Sequence, residues 1–96
     1  MKVQDWIFTV CYCPEGGDNF RRHPVVGPAR SSTVEAALHL AGVPDPVRAE
    51  IRADETVRKF VEGRLDPQMH GYYTRCPIGS SPGWVICIGS VQAVLS

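Results

Sequence analysis

The last third of the chain is almost without charge. Between Pro67 and Ser96 the only Asp, Glu, Lys or Arg is Arg75, whereas residues 45–66 hold eleven. Within that stretch WVICIGSVQAVL (84–95) has no charge and no proline, and its residues favour strands. Left bare on a sheet edge, such a ribbon would template aggregation. It is expected inside the sheet, beneath helices, or against another chain. Net charge is lacking too, since ten basic and ten acidic side chains cancel. That balance disfavours a strongly basic nucleic-acid binder or a polybasic membrane-surface protein. No apolar run approaches the roughly 20 residues that span a bilayer. The N-terminal MKVQDWIFTVCYC, interrupted by Asp5 and Thr9, has no small-residue cleavage site of the kind a signal peptide carries. The expected compartment is the cytoplasm, where Cys11, Cys13, Cys76 and Cys87 are thiols and not a disulfide frame.

What is present suits one folded unit. A length of 96 residues, with 44% hydrophobic and 21% charged residues, predicts a single domain spanning 1–96 around one core. Residues 3–13 read as a strand whose two faces are both apolar, with Trp6, Phe8, Val10 and Tyr12 on one and Ile7 and Cys11 on the other. Such a strand belongs in a sheet interior. A loop then runs to about Arg30, with a short edge strand at Val25–Val26. Ser32-Thr33-Val34-Glu35 has the spacing of a capping box and predicts a helix closed by Gly42. Asp45-Pro46 predicts a second start, with Asp45 as N-cap. Residues 47–53 alternate apolar and charged as a strand would, but Ala, Arg and Glu are helix formers, so helix is favoured there. A break at Asp54 and a further segment from Glu55 to Leu65 come next, then strands at about 70–77 and 84–95.

Several constellations invite chemistry. Gly79-Ser80-Ser81-Pro82-Gly83 fits G-x-S-x-G, the pattern of a nucleophile elbow. The residue after Ser81 is Pro82, which has no N–H for an oxyanion hole, and the WVICIG segment beyond it is strand-like and not helical. Ser81 is therefore read as a hairpin residue. Cys11 and Cys13 suggest a metal, yet side chains two apart in a strand lie about 6.6 Å from one another, too far for one tetrahedral zinc. The expected metal set is none, with the thiols as small core or strand-end residues. Cys–His pairing of Cys13 with His23, or of Cys76 with His70, is the remaining thiol-enzyme alternative. Thr33 to Ile51 resembles a helix-turn-helix, with Ile51 in register while Ala37 and Val47 each stand one place off. That resemblance implies a DNA-binding regulator at 33–52, against which Asp45, Glu50, Asp54 and Glu55 would repel phosphates.

Two groups of residues point to protein contact. Phe20-Arg21-Arg22-His23-Pro24 is the one local basic cluster, and arginines beside an aromatic suit an acidic partner surface. Tyr72, Tyr73, Arg75 and Trp84 are of the types that anchor interfaces. The architecture expected is α+β, in the order β-α-α-β-β, with a three- or four-stranded mostly antiparallel sheet carrying two or three helices on one face. The function expected is a small cytoplasmic binding protein, not an enzyme and without cofactor. It would act on another protein as an inhibitor or immunity protein does, of the kind a phage directs against host defence. Arg21, Arg22, His23, Tyr72, Tyr73, Arg75 and Trp84 are its candidate partner-binding residues, and a homodimer is the other partner considered.

Overall fold

A computed structural model describes residues 4–15, 21–69, 71–76 and 82–91. The elements are β1 (Asp5–Cys13), β2 (Arg21–Pro28), α1 (Ser31–Leu40), α2 (Asp45–Ala53), α3 (Glu55–Val61), β3 (Tyr72–Arg75) and β4 (Gly83–Ser90). The fold is α+β, a four-stranded antiparallel sheet with three helices, in strand order β2-β1-β4-β3. The two strands that are apolar on both sides, β1 and β4, occupy the centre. Val85 to Ile88 of the uncharged ribbon are therefore paired on both sides, by β1 and by β3. Residues 77–81 and 92–96, including Ser81 and the end of the expected last strand, lie outside the described residues.

β2 differs from expectation. Arg21–Pro28 is one eight-residue edge strand, not a loop with a two-residue strand in it. Its partner is β1, from Asp5↔Pro28 to Tyr12↔Arg21. Pro24 and Pro28 read as loop punctuation in sequence, but an edge strand needs N–H groups on one side only, so proline is tolerated there.

Helix boundaries follow from local hydrogen bonds. α1 starts at Ser31 with Arg30 as N-cap, and no side chain caps it. The expected capping box does not form: the helix starts before Ser32, which lies inside its first turn, and the Glu35 carboxylate accepts from both Nε and Nη2 of Arg52 in α2. Thr33 instead donates its hydroxyl to the Pro28 carbonyl at 2.6 Å, joining the helix start to the end of β2. At the C-terminus Gly42 takes φ +67, and the amides of Gly42 and Val43 bond the carbonyls of His39 and Leu38. This is a Schellman motif, its apolar contact supplied by buried Leu38 and Val43. Gly63 closes α3 the same way, at φ +71, with Gly63 and Arg64 amides on the carbonyls of Phe60 and Lys59. α3 therefore stops before Leu65, which is buried from the loop beyond.

The ambiguous segment 47–53 is helix. Val47 and Ile51, one turn apart, are buried, while Ala49 and Ala53, which a strand would have buried with them, are exposed. Pro44 and not Asp45 is the N-cap of α2. Asp54 ends α2 and caps α3, its Oδ1 accepting from the amides of Thr56 and Val57. Its other oxygen accepts from the Thr74 hydroxyl at 2.7 Å, tying the α2–α3 corner to β3.

The core lies between the helices and one sheet face. Trp6, Phe8, Val10 and Tyr12 of β1 and Trp84, Ile86 and Ile88 of β4 meet Val34, Leu38, Ile51, Val57 and Phe60. Phe60 packs edge-on against Trp6, with ring centroids 5.9 Å apart, and tilted against Phe8 at 5.0 Å. Among the described residues no helix is long and apolar enough to cross a membrane.

Candidate functional site

All three helices pack on one side, and among the described residues no element covers the other sheet face. Side chains alternate along a strand, so the face opposite Phe8 and Ile88 is set by register. Arg22, Cys11, Val85 and Arg75 stand side by side in one row across the four strands. Pro24, Thr9, Cys87 and Tyr73 make the next row, and Val26, Ile7 and Gly89 a third. The centre of this surface is apolar or weakly polar, and both ends of its first row are arginine. With strands about 4.8 Å apart, the Arg22 and Arg75 backbones are about 14 Å from each other. The first two rows, Arg75 excepted, line an open depression of about 610 Å³.

Large apolar side chains are exposed at this face. Val26 is 62% and Tyr73 60% accessible. The strands carry Arg21, Arg22 and Arg75 against a single acid, Asp5. Among the described residues these three arginines enter no ion pair; the salt bridges Arg52–Glu35, Lys59–Glu55 and Arg64–Glu62 all lie in the helical half.

Burial and the neighbouring Cys87 push the Cys11 thiol above its ordinary pKa, and Arg22 pulls in the opposite direction without cancelling this. Cys11 is thus protonated at neutral pH and a weak nucleophile. β1 runs unbroken through Cys11 and Cys13, and among the described residues no three His, Cys, Asp or Glu side chains cluster as a metal set would. Cys13 and His23 project to opposite faces, since His23 is registered with Val10. Cys76 accepts from the Trp84 amide at 3.2 Å, and His70 lies outside the described residues.

Of the residues singled out in sequence, the fold gathers Arg22, Tyr73 and Arg75 on the open face. Arg21 is exposed and His23 half-buried on the helical side of β2, where they do not join that surface. Tyr72 is half-buried, its hydroxyl accepting from the Asp66 amide at 2.7 Å. Trp84 is 3% exposed and gives its indole N–H to Glu50 at 3.1 Å; it belongs to the core and not to a contact surface. Thr9, Val85 and Cys87, which are half-buried on this face with Cys11 buried among them, were not singled out in sequence as contact residues. For Thr9 and Cys11 the signal lies in β1, whose even positions 6, 8 and 12 hold the aromatics Trp, Phe and Tyr while odd positions 7, 9 and 11 hold Ile, Thr and Cys.

In the helix-turn-helix region, the basic groups of α2 are occupied within the fold. Arg48 donates to the Val43 carbonyl at 2.6 Å and Arg52 holds Glu35. No family model, curated protein or solved structure matches this chain.

Proposed function

We propose that this is a small non-catalytic binding protein that acts by protein–protein contact, with the open sheet face as its contact surface. The observation that carries the reading is that face itself: exposed Val26 and Tyr73 on its edge strands, an apolar or weakly polar centre that no described element covers, and arginines that among the described residues enter no ion pair. Exposed apolar surface is common when scattered and informative when contiguous. A broad face whose depression is open and not enclosed suits a macromolecule better than a small substrate. Its expected action is of the inhibitor or immunity type, in which occupying a partner's surface is the whole effect, and its expected compartment is the cytoplasm.

Photocrosslinking tests this. A photoreactive amino acid replaces Tyr73 on the open face in one variant and Leu40, equally a large exposed residue but on α1, in another. In the producing cell the Tyr73 position gives a discrete protein adduct and the Leu40 position does not. Equal adducts at both positions, or none at Tyr73, would remove the basis for the proposal.

A further inference from the structure

We infer that the partner presents an extended acidic segment, with two carboxylates four residues apart and an apolar side chain midway between them. This rests on the reading of the open face as a contact surface and goes on to the chemistry of what covers it. The first row fixes the pattern. Arg22 and Arg75 end a row about 14 Å wide whose middle is Cys11 and Val85. A segment lying across the strands advances about 3.3 Å per residue, so positions i and i+4 are about 13 Å apart and face the same way. Acids at those positions reach the two guanidiniums, which suit carboxylates by their forked geometry. Position i+2 then points at Cys11 and Val85, where an aliphatic side chain meets an apolar floor.

Charge and size exclude the other occupants. A second copy would bring four arginines into one layer, with Asp5 the only described acid on each open face. The three rows cover on the order of 400 Å², so stacking two copies buries about 800 Å², less than the roughly 1,200 Å² of a specific stable interface. Single-stranded nucleic acid binds platforms of successive aromatics, and Tyr73 is the one aromatic of the described open face.

The test uses the whole chain as bait for a random linear peptide library displayed on phage. Selected sequences are expected to share acid-x-apolar-x-acid. A synthetic peptide of the commonest selected sequence should lose at least about tenfold in affinity on Arg22→Glu/Arg75→Glu. It should weaken comparably as NaCl rises from about 50 to about 500 mM. Both arginines are exposed, so the variant should keep the wild-type melting temperature, which circular dichroism checks. Neutral apolar winners that bind wild type and variant alike, and that shift the amide resonances of Tyr73 and Val85, would overturn the acidic partner while leaving the contact face standing. Winners that shift only helix resonances, or a library yielding no winner, would overturn both. A concentration-dependent dimer closed by this face, or tighter binding of a single-stranded oligonucleotide there, would also overturn the inference.

Discussion

Replacing Asp54 by alanine should cost far more than its place in a one-residue break between helices suggests. One carboxylate oxygen caps α3 through the amides of Thr56 and Val57, and the other holds the Thr74 hydroxyl at 2.7 Å. Loss of a helix N-cap is worth about 1 kcal/mol. A hydrogen bond to a charged group is worth about 1.5–3 kcal/mol, and the lower end applies because Thr74 is only half-buried. The sum is about 2–3 kcal/mol, which for a domain of this size lowers the melting temperature by roughly 10–20 °C. Asp54→Asn retains an oxygen for the two amides and an NH2 that can donate to Thr74, so it should cost under about 1 kcal/mol. Thr74→Val should cost about 1 kcal/mol, and the double variant should fall short of the sum of its singles, since both break one bond. Thermal and urea unfolding followed by far-ultraviolet circular dichroism measure all four proteins. Asp54→Ala melting within about 3 °C of wild type, or Asn performing no better than Ala, would refute the reasoning.

Other expectations rest on single contacts. A Cβ at Gly27 would lie 2.7 Å from the Thr33 hydroxyl oxygen, which is held on the Pro28 carbonyl; Gly27→Ala should therefore destabilise by about 1–3 kcal/mol in urea titrations, and adding Thr33→Ala should recover part of the loss. The Arg52 hydrogen bond holds the Glu35 carboxyl below its ordinary pKa. The stabilisation it provides is present above the unfolded carboxyl value of about 4.3 and is lost as pH falls through the folded one, so the difference in urea midpoint between wild type and Glu35→Gln should be small at neutral pH and vanish in acid. Time-resolved alkylation read by mass spectrometry should label half-exposed Cys87 well before buried Cys11, and Arg22→Ala should slow Cys11 further by removing the cation that opposes its raised pKa.

Much of the core was legible because its cause is local. β1 declared itself central by having apolar residues on both faces, and Gly42 closed α1 because a Schellman turn needs a residue at positive φ. Residues 47–53 were decided by helix propensity against a misleading alternation, and the burial of Val47 with Ile51 shows why: the buried stripe has period four, not two. What sequence hid depends on distant partners. The capping box did not form: α1 starts before Ser32, its first turn tied to β2 through Thr33 and Pro28, and Glu35 is held by Arg52, seventeen residues away. β2 looked like a loop because Pro24, Gly27 and Pro28 punctuate it, and only pairing with β1 makes it a strand. The candidate site is of the same kind. Arg22, Tyr73 and Arg75 could be singled out by residue type, but the row joining Arg22 to Arg75 through Cys11 and Val85 exists only once four strands fall into register. Trp84 shows the opposite error, an interface-type residue that the same register turns into the core.

The claim that the open face is a contact surface has a native reporter in Cys87, half-exposed in the second row. The direct measurement is its alkylation rate in the purified protein and in intact producing cells at native abundance, with each rate normalised to a cysteine introduced at Leu40. A covered face predicts that Cys87 labels several-fold more slowly in the cell while the Leu40→Cys position is unchanged. Equal normalised rates in the two settings would show the face bare where the protein works, and would contradict the account.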